Sequence, residues 1–286
     1  MDTTRQFESK KNIMHRCFRC VANLALIFVG IMGLRLDSPR RWKYLGIWFS
    51  LWIGVVFIYV SIFEFQLVNL DERTLKVTVF TYAGLIWFTY YFGMTVVLGS
   101  RLRLLLIEKL GEDRAYQLWQ LSLGIVFLNQ GFCQMVVIKT FGTSFPFFLP
   151  QWLIILASGF LTLSGIICKV WATYLTGLDT YYYKDLFLNR ITHVGELEPF
   201  VKSGPYRYLG NPMYGVGNFQ AYGAAIWYQS WPGLVIAVVF QISIYIFCFL
   251  IERPFVHSTY LKSIAISDPK WGIWFTQFTK MKRMKA

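Results

Sequence analysis

Three polar clusters stand at the edges of long apolar segments, and each contains residue types that could bind a ligand. The first is the loop 204–214, GPYRYLGNPMY. Its Asn211-Pro212 pair predicts the N-cap and first residue of a helix. The free N–H groups of a helix N-terminus can hold a carboxylate or the polar edge of a ligand. Many Asn-Pro pairs only begin a helix, so this loop becomes a candidate site in combination with other groups.

The second and third clusters supply charge. Glu252-Arg253-Pro254-Phe255 ends the last apolar segment, and residues 169–185 carry Asp179 and Asp185 among several tyrosines. A carboxylate at membrane depth costs free energy and usually has a function. It could form charge-assisted hydrogen bonds to a cationic ligand. The simpler interpretations are a Glu-Arg pair reaching into the interface and an interfacial belt of aromatic side chains.

The composition places these clusters in a membrane protein. Of the 286 residues, 56% are hydrophobic, 19% are aromatic and 15% are charged, whereas soluble domains have about 25% charged residues. The net charge is +13, and the basic residues cluster at the ends of apolar runs. That pattern is expected at an anionic membrane surface. The sequence contains no solvated basic domain, so we predict no nucleic-acid partner.

The apolar segments predict an all-α fold: a polytopic transmembrane helical bundle with six or seven membrane segments and a cytosolic pocket formed by the C-terminal helices. A spanning helix needs about 20 apolar residues. The shorter run Val21–Leu34 is either a seventh span or an interfacial helix, and the basic N-terminus favours the latter. Trp231-Pro232-Gly233 is predicted to be the turn of a helical hairpin. The six longer segments are 45–68, 76–99, 117–138, 148–170, 213–229 and 231–251.

Charge and small residues add detail to this arrangement. The distribution of Lys and Arg places the loops 35–44, 101–116 and 171–212 and the C-terminal tail in the cytosol. Because apolar segments continue after the polar stretch, we divide the chain only into an N-terminal helical region, 1–145, and a C-terminal core, 146–286. Small residues that recur every four positions in the fifth long segment predict close helix packing. They are Gly217, Ala221 and Ala225.

The cysteines do not indicate a metal site. Cys17 and Cys20 form a lone CxxC, and His15 lies nearby, but no fourth ligand is evident. The odd total of five cysteines argues against a disulfide scaffold. We therefore predict reduced thiols near a membrane surface and no bound metal.

The combined order of these motifs resembles the C-terminal signature of the phospholipid N-methyltransferases. The resemblance covers roughly residues 150–262 and includes Gly177-Leu178-Asp179-x-Tyr181-Tyr182, which is similar to the "LGDYFG" segment of that family. Arg253 stands where the family usually has a second acid, and the family's GxG motif before the aspartate segment is missing. The remaining matching motifs are Gly204-Pro205-Tyr206-Arg207-Tyr208, Asn211-Pro212-Met213-Tyr214, Glu252-x-Pro254-Phe255 and Tyr260.

This resemblance implies that the cytosolic pocket binds S-adenosylmethionine. Glu252 would hold the α-ammonium group of the cofactor, and Arg253 would hold its carboxylate or a lipid phosphate. Tyr206, Asn211 and Tyr214 would contact the adenine and ribose. The full set of cofactor-binding residues that the resemblance implies is Tyr206, Arg207, Asn211, Pro212, Tyr214, Gly217, Glu252 and Arg253.

The methyl acceptor implied by the resemblance is the amine of an ethanolamine phospholipid in the bilayer, which is converted towards phosphatidylcholine. An ammonium group is not nucleophilic, so a nearby group must first accept its proton. Asp179, Asp185 and His257 are the candidates, whereas His193 lies in a hydrophilic loop. In a eukaryotic cell, the endoplasmic reticulum membrane is the expected location.

Three other functions remain open from the sequence. An isoprenylcysteine carboxyl methyltransferase belongs to the same superfamily and could use Arg207 to bind the substrate carboxylate. A membrane reductase of the sterol type resembles this architecture near its C-terminus and would bind a nicotinamide cofactor. A non-enzymatic channel or scaffold would leave Glu252, Asp179 and the Asn-Pro-Met-Tyr loop without a role.

Overall fold

The structure, a computed structural model, describes residues 19–35, 42–59, 61, 71–146, 149–192, 201 and 203–259. Within these ranges the chain forms helices and turns without a strand, which confirms the predicted all-helical class. The helices are α1 Arg19–Ile31, α2 Trp42–Tyr59, α3 Glu72–Gly99, α4 Leu102–Leu110, α5 Glu112–Thr140, α6 Gln151–Thr176, α7 Leu178–Tyr181, α8 Lys184–Leu188, α9 Phe219–Trp227 and α10 Trp231–Thr259.

Four of the described helices, α3, α5, α6 and α10, are long and apolar enough to cross a membrane. Of the remaining predicted segments, α2 has 18 residues, and the first run forms the short helix α1. Residues 62–68 of the first long segment lie outside the described ranges. The predicted span 213–229 is wrong, because α9 has only nine residues. At 1.5 Å per residue it is about 14 Å long, roughly half the thickness of a bilayer core.

The connections show why several helix ends differ from the sequence expectations. Ser230 is the N-cap of α10, and its side chain accepts a hydrogen bond from Gly233 N at 3.2 Å. Trp231-Pro232-Gly233 therefore begins α10, where proline is favoured in the first turn, and the hairpin turn precedes it. The predicted loop 101–116 likewise contains α4 and the start of α5, separated by Gly111 at φ 77°.

Helices α6 and α9 pack with very close backbones. A Cβ atom added to Gly223 of α9 would lie 2.3 Å from Thr162 Oγ1 and 2.7 Å from Ser158 O, both on α6. The predicted small residues Gly217, Ala221 and Ala225 are also buried. Gly223 was not in the predicted set, because the four-residue spacing selected a different face of the helix.

We expect Gly223→Ala to destabilise the fold by about 1–3 kcal/mol, because the added methyl group forces apart two backbones that are in contact. The measurement is the thermal unfolding midpoint in detergent. The matched control is Gly131→Ala in α5, where an added Cβ meets no atom within 4 Å. Equal unfolding midpoints of Gly223→Ala and Gly131→Ala would contradict the close packing of α9 against α6.

The tyrosines between α7 and α8 are fixed by α5. Trp119 Nε1 donates a 2.9 Å hydrogen bond to the carbonyl oxygen of Tyr182, and the Trp119 ring stacks on Phe187 at 5.5 Å. Tyr183 follows in the left-handed region at φ 57°. This conformation is uncommon for a bulky residue, and it lets the chain reverse between the two short helices. The reversal holds Tyr183 against the C-terminal part of the bundle, where its ring meets that of Phe247 edge-on at 5.4 Å.

Candidate active site

Glu252 lies in a π-helical turn, Cys248–Glu252, within α10. Single π turns inside α-helices are frequent at functional sites. Glu252 Oε2 accepts a 2.8 Å hydrogen bond from the hydroxyl of Tyr214, and this hydroxyl lies 2.9 Å from that of Tyr183. The carboxylate is partly buried. It therefore points towards the loop that precedes α9 rather than into bulk solvent or away from the bundle.

Asn211 closes a turn in that loop. Its Oδ1 accepts from Tyr214 N at 3.3 Å, its carbonyl oxygen accepts from Gly215 N at 3.0 Å, and its Nδ2 donates to Cys248 Sγ at 3.7 Å. The prediction that Asn211 caps a helix is wrong, because turns and a 3₁₀ segment separate it from Phe219, the first residue of α9. The structure nevertheless brings Asn211, Tyr214 and Glu252 together.

Burial, together with the Glu252 carboxylate, raises the pKa of Tyr214 well above its ordinary value. Burial also raises the pKa of Tyr183 well above its ordinary value. Both hydroxyls therefore keep their protons at neutral pH and remain hydrogen-bond donors. The two tyrosine hydroxyls are therefore neutral polar groups beside the Glu252 carboxylate.

Pro212 and Gly217 are packing residues of the loop. The carbonyl oxygen of Pro212 accepts from Gly217 N at 2.8 Å and lies 3.6 Å from Cys168 Sγ of α6. A Cβ atom on Gly217 would come within 2.9 Å of that carbonyl oxygen. Glycine is needed here for the close approach of the backbone. Any role of these two residues towards a cofactor remains a prediction.

Tyr206 and Arg207 belong to a 3₁₀ turn, Gly204–Arg207, that rests on α6. Burial raises the pKa of Tyr206 to about 12. Arg207 is exposed, and its guanidinium lies 5.6 Å from the centre of the Tyr208 ring. The turn thus presents one neutral hydroxyl on its inner side and one cation on its outer side.

Arg253 is exposed beside a shallow apolar groove on α10. Its guanidinium lies 6.0 Å from the centre of the Phe249 ring. The groove has a volume of about 580 Å³. Its lining combines apolar side chains with this one cation. The lining residues are Ile242, Tyr245, Ile246, Cys248, Phe249, Leu250 and Arg253.

Asp179 binds two cations of the protein itself. Its Oδ1 accepts from Arg35 at 3.0 Å and from the Tyr116 hydroxyl at 3.3 Å, and its Oδ2 accepts from Lys184 at 2.9 Å. Burial alone would raise the pKa of Asp179, but the charges and hydrogen bonds of Arg35 and Lys184 outweigh it and hold the pKa well below its usual value. These contacts favour a structural role for Asp179 over proton transfer.

The other two predicted proton acceptors occupy different surroundings. Asp185 Oδ1 accepts from Thr192 N at 3.0 Å and from Thr192 Oγ1 at 2.5 Å, and so it fixes the chain after α8. His257 lies on the exposed side of the end of α10, five positions beyond Glu252. His193 and Tyr260 lie outside the described residues. Among those that are described, no group of three or more His, Cys, Asp or Glu side chains is placed to hold a metal ion.

Two features of the site were missed from the sequence. Tyr183 touches Tyr214, but nothing distinguished it from its two neighbouring tyrosines. Lys169 Nζ donates to Asn218 Oδ1 at 2.8 Å, and Asn218 Nδ2 donates to the carbonyl oxygen of Tyr214 at 3.2 Å. A lysine inside a membrane-length helix is a recognisable signal of function.

The four long apolar helices indicate a multi-pass membrane protein, and a polar cluster around Glu252 and Tyr214 lies near the end of one of them, α10. The model of the phospholipid methyltransferase family matches residues 153–263. The matched segment contains the 204–218 loop, α9, α10 and Glu252, and it confirms the family resemblance seen in the motifs. No curated protein and no solved structure matches the chain.

Proposed function

We propose that this chain is an integral membrane methyltransferase that moves a methyl group from S-adenosylmethionine to the amine of an ethanolamine phospholipid, towards phosphatidylcholine. The observation that carries the proposal is the contact between Glu252 and Tyr214. It joins the Asn-Pro-Met-Tyr motif and the Glu-x-Pro-Phe motif of the family pattern into one polar site, inside the segment that matches a methyltransferase family.

The residues at this site fit S-adenosylmethionine. Glu252 offers a carboxylate to an α-ammonium group, and such hydrogen bonds are the stronger kind because they are charge-assisted. Tyr206 and Asn211 offer polar groups to an adenine or ribose edge, and aromatic faces favour a neighbouring cation. When bound, this cofactor supplies a methyl group activated by attachment to a sulfonium. Arg253, which is exposed, can pair with the cofactor carboxylate or with a lipid phosphate.

The groove on α10 fits a phospholipid substrate. Its apolar side chains can pack against an acyl chain of the lipid. The Arg253 guanidinium in the same groove can form an ion pair with the lipid phosphate. Arg253 directly follows Glu252, so a head group bound at Arg253 lies at the same level of α10 as the carboxylate site. Of the predicted proton acceptors, we retain His257 as the residue that passes the proton of the amine to solvent, because it is exposed near the end of the same helix.

The direct test is methyl transfer by the purified full chain in vesicles. Labelled S-adenosylmethionine is added to vesicles containing phosphatidylethanolamine, and the lipids are then separated. We expect label in the methylated ethanolamine lipids. Label in a prenyl-cysteine substrate instead would favour the carboxyl methyltransferase, for which the exposed Arg207 is available. Binding of a nicotinamide cofactor without methyl transfer would favour the reductase.

A further inference from the structure

Lys169 brings a positive charge to the loop that precedes α9. It lies in α6, a helix long and apolar enough to cross a membrane, seven positions before the helix ends at Thr176. Its Nζ donates to Asn218 Oδ1 at 2.8 Å. A Cβ atom added to Gly217 would lie 3.4 Å from Lys169 Cβ and 3.5 Å from Lys169 Cε. The side chain of Lys169 therefore extends along the loop.

Neither Lys169 nor Glu252 forms an ion pair with any residue that the structure describes. The hydrogen-bond partner of Lys169 is the neutral amide of Asn218, and the Glu252 carboxylate accepts from the neutral hydroxyl of Tyr214. An ammonium group has three N–H donors, so Lys169 has two more to offer a ligand. Charges at membrane depth cost free energy and usually have a function.

The Asn211-Pro212 pair bridges α6 and α10. Cys168 Sγ of α6 lies 3.6 Å from the carbonyl oxygen of Pro212. On the other side, Asn211 Nδ2 donates to Cys248 Sγ of α10 at 3.7 Å. Because these two loop residues are adjacent, the two helices approach the loop at the same level.

The two charges belong to this level of the helices. Lys169 directly follows Cys168. Glu252 lies four positions beyond Cys248, which is about one helical turn. Both charges also connect to Tyr214, because its hydroxyl donates to Glu252 at 2.8 Å and the amide bound by Lys169 donates to its carbonyl oxygen at 3.2 Å. A cation from α6 and an anion from α10 therefore flank the same part of the loop.

We propose that Lys169 is a ligand-binding residue that holds the anionic group of a zwitterionic ligand whose ammonium group binds Glu252. Hydrogen bonds from an ammonium to a carboxylate or phosphate are charge-assisted and therefore strong. The role deepens the proposed function and rests on it for the identity of the ligand. S-adenosylmethionine carries a carboxylate beside its α-ammonium group, and an ethanolamine phospholipid carries a phosphate near its amine. With Lys169 on the cofactor carboxylate, the exposed Arg253 is left for the lipid phosphate.

The test compares S-adenosylmethionine with its decarboxylated analogue, which lacks only the anionic group. Binding of each compound to the purified full chain in detergent is measured by calorimetry. We expect Lys169→Met to weaken binding of S-adenosylmethionine about 10- to 100-fold, the effect of losing a hydrogen bond to a charged group. Binding of the analogue should stay nearly unchanged, and Lys169→Arg, which keeps the charge, should recover part of the loss. Lys109→Met, at an exposed lysine of α4, is the control and should bind both compounds as the wild type does.

Short-chain phosphatidylethanolamine is titrated in parallel, and a loss for this lipid alone would assign Lys169 to the phosphate instead of the cofactor carboxylate. Equal losses for S-adenosylmethionine and its analogue would overturn the inference, because a loop that has only lost its shape binds both less well. No loss for any of the three ligands would also overturn it. If the wild type binds no S-adenosylmethionine, the proposed cofactor is wrong and the lipid titration decides. Weaker lipid binding by Lys169→Met than by Lys109→Met would then support the role of Lys169, and unchanged or absent lipid binding would overturn it.

Discussion

Glu252→Gln should reduce methyl transfer to the phospholipid amine by on the order of 100-fold, since truncating one partner of a buried charge pair costs about 2–5 kcal/mol. The substitution keeps the shape of the side chain, and its amide oxygen can still accept from Tyr214. What it removes is the negative charge that would bind an ammonium group. The loss should therefore appear mainly as weaker binding of S-adenosylmethionine, with normal folding.

The measurement is a titration of the cofactor in the vesicle assay, alongside the unfolding midpoint in detergent. Glu108→Gln is the matched control, because Glu108 is an exposed glutamate on α4. We expect the control to behave as the wild type. Full methyl transfer by Glu252→Gln would show that Glu252 does not bind the cofactor. A fall in both the activity and the unfolding midpoint would show that its role is structural.

Asp179→Ala should destabilise the fold by about 3–5 kcal/mol, because it removes one partner from a buried ion-pair cluster. Arg35 is 1% exposed, and its guanidinium also lies 5.0 Å from the centre of the Tyr182 ring. The Asp179 carboxylate joins this part of the N-terminal region to Lys184, at the start of α8. Without it, Arg35 and Lys184 lose the carboxylate that binds both of them.

The unfolding midpoint in detergent measures this effect, and Asp113→Ala, at an exposed aspartate in the first turn of α5, is its control. Because the folded-state pKa of Asp179 lies below the unfolded-state value, its contribution is present at neutral pH. It is lost as the pH falls through the acidic range, so wild type and Asp179→Ala should converge in stability there. Equal midpoints of Asp179→Ala and Asp113→Ala at neutral pH would contradict the structural role.

The sequence predicted the elements that are local and strongly apolar. The helices α3, α5, α6 and α10 follow from runs of hydrophobic residues, and the pattern of motifs resembles the family whose model matches residues 153–263. The segment 213–229 was misjudged because most of its residues are apolar. Pro212 just before it and Gly215 and Gly217 within it favour turns, and the α-helix begins only at Phe219.

Contacts between distant parts of the chain could not be predicted. Asp179 looked like a proton acceptor because its sequence neighbours are tyrosines, but its partner Arg35 is 144 positions away. Tyr183 had no distinguishing neighbour in sequence, and only tertiary packing places its hydroxyl 2.9 Å from that of Tyr214. Glu252 and Tyr214 were expected at one site because the family resemblance implies that both contact the cofactor. The helical hairpin between them limits how far apart they can be.

The brevity of α9 has a consequence for how substrates arrive. The irregular backbone before it runs beside α6, with Met213 Sδ 3.8 Å from Thr173 Oγ1 and Asn218 bonded to Lys169. Lys169 stands seven positions before the end of α6, which corresponds to about 10 Å along its axis. Non-helical backbone at such a depth is tolerated where protein covers it or where it borders a water-filled cavity. The segment thus resembles a re-entrant loop. If the chain acts on the phospholipid proposed above, the lipid amine has to descend below the head-group plane to reach it.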